Sequence, residues 1–247
     1  AIGCEVSCRL SLALRQDMEV GGWYPPPMYA GLGAAVGAAW MLGLDAVQLQ
    51  DALSLALCQV TMPGEIKHSQ RTVIRAVREG FPAQAAVTSA LLAREGVAGF
   101  EAPLEGKDGF YALYAAGKFD PADLIDGLGQ RWWIEHLTFK PWPSCRGTHP
   151  FIEMALHLRE KHGLLGEDIA AVEVAVDDVQ QMLVEPLARK QAPDTLIDAK
   201  FSIPFCVGLA LARGRVDLDS FTSAALADPE VLAITAKVTA VTAQGQN

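Results

Sequence analysis

Residues 21–45 read GGWYPPPMYAGLGAAVGAAWMLGLD. From Met28 to Leu44 the stretch carries no charge. That is about 17 residues, short of the roughly 20 a membrane-spanning helix needs, so it reads as a buried helix of a globular protein. Gly31, Gly33 and Gly37, with Ala34 and Ala38, leave small faces along it. Each helical glycine costs about 1 kcal/mol relative to Ala, and the expected compensation is close approach by a neighbouring helix. The preceding GGWYPPP reads as a loop stiffened by Pro25, Pro26 and Pro27.

Working outward, residues 1–17 place Val6, Leu10 and Leu14 at helical spacing. On the other side, Asp45 followed by Gln48 is a capping box, opening an amphipathic helix from Ala46 to about Val60. PGEIKHSQR (63–71) is a loop. The pattern is helical again over Thr72–Glu95, with a kink or fresh start expected at Gly80–Pro82, because Pro82 has no amide proton to give. Residues 99–119 are rich in glycine and loop-like. Asp120-Pro121 is a cap followed by a first-turn proline, starting a short helix.

The character changes near Trp132. WWIEHLTFK (132–140) mixes aromatic and β-branched residues and predicts a strand. KPWPSCRGTHP is a loop, and Pro150 opens a helix through His162. IAAVEVAVDD (169–178) alternates like a half-buried strand. Asp194 is positioned to cap one helix, DTLIDAKFSIPFCVGLALARG, ending at a C′ glycine, Gly214. Asp228-Pro229 starts another helix, and KVTAVTA closes as a strand. The fold expected is mainly α: an all-helical part over 1–130, then a smaller α+β part over 131–247. The chain opens inside a helical pattern without an initiator Met and ends abruptly at TAQGQN, so it reads as part of a longer protein.

About half of the 247 residues are apolar and a fifth are charged, an ordinary globular balance. The net charge is -9 and no Lys/Arg run exists, so nucleic acid is not an expected partner, since phosphate neutralisation supplies most of that affinity. Cys4, Cys8, Cys58, Cys145 and Cys206 are odd in number and irregular in spacing, as suits reduced thiols in a cytoplasmic protein. AIGCEVSCRLSLALR has no basic leading region and is not a signal peptide, and neither a membrane nor a metal is expected as a partner. Phosphate loops, dinucleotide fingerprints, His-Glu-x-x-His and Gly-x-Ser-x-Gly are all missing from the sequence. His157 and His162, five apart, read as solvated surface.

Four blocks in order carry a resemblance: residues 21–45 quoted above, GFPAQAAVTSALLAREGVAGFEAPLEGKDGF (80–110), KPWPSCRGTHPFIE (140–153) and DAKFSIPFCVGLALARG (198–214). Together they resemble the 2-methylcitrate dehydratase (MmgE/PrpD) family over nearly the whole chain. The resemblance implies a large helical domain with an α+β lid, an active site between them, and usually a homodimer. It implies dehydration, decarboxylation or epimerisation of a small di- or tricarboxylate, such as 2-methylcitrate, cis-aconitate or iminodisuccinate. No nucleotide or other cofactor is implied, and typically no metal.

Carried over residue by residue, Lys140 matches the family's lysine at the lid entrance, and His149 a histidine common in the same block. Lys200 and Ser202 fall in the Ala-Lys-Phe-Ser block. Tyr24 stands where dehydratases and decarboxylases have a histidine before the proline pair. Arg75 and Arg78 stand where they have Lys and then His. Cys145 stands where the decarboxylase has a histidine five residues after the lid lysine. Arginine stays protonated at ordinary pH, so Arg75 and Arg78 are candidates for gripping carboxylates, with Lys200, rather than for proton transfer. Tyr24 and Lys140 are the first candidates for moving a proton, with His149 and Cys145 beside them. His68, in a polar loop, is a candidate gate, and Arg146 a weaker anion contact. The departures tilt the expectation toward epimerase-like removal of a proton α to a carboxylate. The other class open to the sequence is an inactive relative that binds a carboxylate or serves as a scaffold.

Overall fold

The computed structural model describes residues 1–69 and 72–243, so Gln70 and Arg71 of the 63–71 loop lie outside the described residues. The chain divides into two compact units, one ending at Thr138 and the next beginning at Phe139.

The first unit is helical: α1 (Ile2–Leu12), α2 (Pro25–Met41), α3 (Ala46–Leu57), α4 (Gly80–Arg94), α5 (Phe110–Ala115) and α6 (Pro121–Ile125). α2 is its centre and packs against α1, α3 and α4. Leu10, Met28, Leu32, Phe110 and Tyr111 are buried with it, each worth about 1.5–3 kcal/mol of transfer free energy for a side chain of this size. Ala39, Ala52, Ala90 and Ala93 form a second, all-alanine seam. The expected close approach is found at Gly33, where an added Cβ would lie 2.2 Å from the Gly3 carbonyl oxygen and 2.2 Å from Ser7 Oγ. Gly33→Ala is therefore expected to destabilise the unit by about 1–3 kcal/mol, despite the better helix propensity of alanine. Urea denaturation checks this, and a gain in stability would mean that α1 and α2 are farther apart than described.

The Asp45–Gln48 capping box is present, with Gln48 N donating to Asp45 Oδ1 at 2.9 Å and Asp45 N to Gln48 Oε1 at 3.2 Å. Asp120 caps α6 as expected. Other boundaries differ. α1 stops at Leu12, and Leu14 bridges to Phe119 instead. The prolines expected in a loop begin α2, because first-turn amides have no intrahelical partner to lose. Residues 72–79 do not continue into α4 but form a 3-10 turn at Ile74–Ala76. The ring of Pro82 excludes a helical carbonyl four residues earlier, so α4 begins afresh at Gly80.

The strand predicted over 132–140 is not formed. Trp133–His136 is a 3-10 turn. Ile134 N donates to Glu5 Oε2 at 3.1 Å, and Arg131 lies 5.4 Å over the Trp133 ring. Aromatic and β-branched residues favour a pleat, but among the described residues this segment has no neighbouring strand to complete a ladder.

The second unit holds α7 (His149–His162), β1 (Val172–Val176), α8 (Leu187–Gln191), α9 (Leu196–Lys200), α10 (Ile203–Arg213), α11 (Ser223–Leu226), α12 (Pro229–Thr235) and β2 (Val238–Thr242). The two strands pair in parallel, Val172 opposite Val238. Val174, Val176 and Val238 are buried with α10, whose Ile203–Leu211 run is buried throughout. The mainly α architecture with an α+β second part is thus as expected, including both of the C-terminal strands and the helix start at Pro229. The single helix expected over 194–214 is two helices. Thr195, not Asp194, caps α9, and Ser202 caps α10. Pro204, in the first turn of α10, excludes a continuous helix through Lys200. Gly214, at φ +67°, closes α10 as anticipated.

Candidate functional site

Tyr24 is the residue preceding α2. Its amide donates to the Met62 carbonyl at 2.8 Å, and Gly64 N donates to Gly22 O at 2.7 Å. Gly64 allows this approach, since a Cβ there would meet Gly22 O at 2.9 Å. Trp23 meets Tyr114 edge-on with centroids 5.0 Å apart. The segment before the prolines is thereby fixed on both sides, and the Tyr24 ring faces arginines. The guanidinium carbon of Arg78 lies 4.8 Å from the ring centroid, and that of Arg75 lies 5.8 Å from it. Three sequence-picked residues therefore come together, through a 3-10 turn rather than one helix face.

Arg78 Nε donates to Glu79 Oε1 at 2.6 Å, which leaves the rest of the guanidinium for other acceptors. Its Nη1 is buried without a hydrogen-bond partner among the described residues. A buried charged donor lacking an acceptor is costly, and an arriving carboxylate oxygen relieves that cost. His68 is exposed in the turn that follows Gly64–Lys67. Lys67 is held by Glu19 at 2.7 Å.

In the second unit, Lys140, Cys145 and His149 gather around Ser144. Lys140 Nζ donates to the Ser144 carbonyl at 3.1 Å. Cys145 N donates to Lys200 O at 2.8 Å, tying the block after Lys140 to the end of α9. Arg146 is exposed at the start of the 3-10 turn Arg146–Thr148. The His149 ring packs edge-on to Trp142 at 5.4 Å, and its Nε2 is buried with no hydrogen-bond partner among the described residues. Burial lowers the His149 pKa from the usual 6.5, and the charges of Lys140 and Arg146 push the same way. Main-chain hydrogen bonds to Ser144 and Trp142 oppose the shift. His149 is thus a neutral imidazole with an open nitrogen, suited to accept a proton.

Lys200 pairs with neither Asp198 nor Asp194 among the described residues. Arg189 takes both, at 2.5 and 4.0 Å, while Lys200 Nζ sits 5.6 Å over the Phe221 ring. Burial pushes the Cys206 thiol up to about 12, which removes it as a nucleophile at neutral pH. His157 and His162 are exposed, as expected.

Sequence reasoning missed Ser144, Thr148 and Lys190. Lys190 is buried, donates to Phe201 O at 2.8 Å, and its own carbonyl accepts from Ser202 Oγ at 2.5 Å. Only the Pro-Trp-Pro-Ser-Cys wording of the loop hinted that small polar groups beside Lys140 have work. A groove of about 770 Å³ in this unit is mainly apolar and runs between α7 and β1 past Met154, Leu158 and Val172. None of Lys140, Cys145, His149 and Lys200 lines it.

Comparison with known proteins defines the class. Residues 1–122 match the MmgE/PrpD N-terminal domain and residues 142–245 the MmgE/PrpD C-terminal domain. The chain belongs to the MmgE/PrpD family. It is 25% identical over 246 residues to a cis-aconitate decarboxylase of Mus musculus, covering 96% of this chain and 48% of that protein. It is 25% identical over 245 residues to a cis-aconitate decarboxylase of Homo sapiens, covering 96% and 49%. A cis-aconitate decarboxylase-like protein, oryM, of Aspergillus oryzae is 24% identical over 255 residues, covering 97% and 52%. The chain spans about half the length of these relatives.

Proposed function

We propose that this protein is a lyase or isomerase that removes a proton α to a carboxylate of a small di- or tricarboxylate, without a nucleotide or metal. The observation that carries the reading is the pair of guanidiniums drawn over Tyr24, with a buried Arg78 donor lacking an acceptor among the described residues. Relatives described as cis-aconitate decarboxylases support a tricarboxylate as the substrate class. In the first unit, Arg75 and Arg78 bind carboxylate oxygens, and the Tyr24 hydroxyl serves proton transfer beside them. In the second unit, His149 Nε2 accepts the α-proton, and the Lys140 ammonium offsets the negative charge that develops. Cys145 and Lys200 stand beside them, joined by the bond from Cys145 N to Lys200 O. The working unit in solution is a homodimer in the cytoplasm.

Arg78→Ala is expected to raise KM about 10- to 100-fold, the loss of one charge-assisted contact, with kcat changed far less. An unchanged KM removes the binding role. The activity itself is tested by incubating the protein in heavy water with a panel of small polycarboxylates and following the α-protons by NMR. Deuterium wash-in or a new product establishes the class, and the product separates lyase from isomerase.

A second reading, a carboxylate binder without turnover, draws on Cys145 standing where the decarboxylase block has histidine. Thermal stabilisation by a tricarboxylate with no exchange and no product would favour it.

A further inference from the structure

The hydroxyls of Ser144 and Thr148 lie 2.7 Å apart, and Thr148 Oγ1 donates to the Cys145 carbonyl at 2.8 Å. Thr148 is fully buried and Ser144 nearly so. A hydroxyl carries one proton. Thr148 gives its proton to Cys145, so the proton between the two hydroxyls belongs to Ser144. The order is thereby fixed: Ser144 O–H to Thr148 Oγ1, then Thr148 O–H to the carbonyl of Cys145. Two main-chain bonds close the same turn, Ser144 N to Trp142 O at 2.9 Å and Thr148 N to Cys145 O at 2.9 Å.

Hydrogen bonds in such a chain polarise one another, and a buried donor that loses its acceptor is penalised. The turn therefore has one favoured arrangement. In it the Ser144 carbonyl receives Lys140 Nζ, and the main chain of Ser144 and Trp142 favours a proton on the His149 ring, which lies edge-on to Trp142. Because Nε2 is buried with no partner among the described residues, that proton is better placed on Nδ1.

We propose that Ser144 and Thr148 are positioning residues, whose buried hydroxyl relay fixes the Ser144 carbonyl so that it anchors the Lys140 ammonium and keeps the His149 proton on Nδ1, leaving Nε2 open. The inference rests on the reading of Lys140 and His149 as the proton-handling pair of the second unit.

The test uses the full chain with ¹⁵N-labelled histidine, the His149 resonances being identified by their loss in His149→Gln. The wild type is expected to show the Nδ1–H tautomer at His149. Thr148→Val cuts both hydroxyl bonds and should shift His149 toward a mixture of tautomers. On any tricarboxylate that is turned over, kcat should fall about 10- to 100-fold, the scale of a small misplacement of a reacting group, with KM little changed. Thr148→Ser restores both readouts. Ser144→Ala cuts the relay without leaving a buried donor unpaired, and it serves if Thr148→Val fails to fold. A folded Thr148→Val or Ser144→Ala with the wild-type tautomer and titration at His149 would overturn the proposal. A shifted tautomer in a protein that turns over no carboxylate would uphold the relay and remove the proton-transfer reading instead.

Discussion

Replacing Arg9 by Met is expected to destabilise the first unit by about 3–5 kcal/mol, the cost of leaving one member of a buried ion pair uncompensated. Arg9 and Glu5 are paired at 2.7 Å, their side chains 3% and 4% exposed. Arg9 also donates to the carbonyls of Leu124, Asp126 and Arg131, at 3.2, 3.0 and 2.9 Å. Glu5 Oε2 accepts the amide of Ile134. The pair thus fastens α1 to the end of α6 and to the segment that follows it. Removing the guanidinium leaves a buried carboxylate and several carbonyls without donors, and apolar packing by Met does not satisfy them. Chemical denaturation monitored by circular dichroism checks the prediction. The double variant Glu5→Leu/Arg9→Met should recover part of the loss, because it removes the stranded charge. A midpoint equal to wild type in Arg9→Met would mean that water reaches Glu5.

His149→Asn is the second large effect, on rate rather than stability. On the proposed reading it removes the proton acceptor, and general base catalysis is commonly worth 10²–10⁴-fold, so kcat is expected to fall on that order. The pH profile sharpens the test. The folded pKa of His149 lies below the usual 6.5 because burial disfavours the charged ring. The active, neutral form therefore persists below pH 6.5, and the acid limb of kcat/KM should fall in that lower range. Linkage gives stability the same sign. The unfolded chain takes up this proton near its ordinary pKa and the folded chain only lower. The contribution is therefore present above about pH 6.5 and is lost as pH falls through the folded value. Histidine-resolved NMR titration, with rates measured on the same samples, checks both. An acid limb unmoved in His149→Asn would assign it to another group.

Much of the fold was legible because it rests on local rules. The Asp45 cap, the Asp120-Pro121 and Asp228-Pro229 starts and the glycine at 214 each use one side chain or one φ preference. The glycine face of α2 was legible because an unfavourable residue repeated in a helix needs a reason. The failures share another cause. Whether WWIEHLTFK forms a strand depends on a neighbour that no local pattern reveals, and a carboxylate at Glu5 claimed the amide of Ile134. The partition of 194–214 turned on which of three polar residues capped, a choice decided by packing around Pro204. In the candidate site, Tyr24, Arg75 and Arg78 were chosen by block position, and the structure brings them together. Their route to one another, a 3-10 turn instead of a helix face, was not legible. Ser144 and Thr148 escaped notice because a buried hydroxyl pair has no sequence signature. That Lys200 lies over Phe221 and not beside Asp198 was not legible either, because Arg189, nine residues before Asp198, is brought to that carboxylate only by the fold.

The parallel pairing of Val172 with Val238 also bears on how the protein is made. On the ribosome, β1 emerges long before its partner, and a parallel ladder cannot close until β2 has followed. At roughly 5–20 residues per second, the Val-rich segment waits several seconds with both edges open. During synthesis it is the part of this unit most in need of a chaperone, and slowing translation between the two strands should cost yield of soluble protein where slowing it after β2 should not.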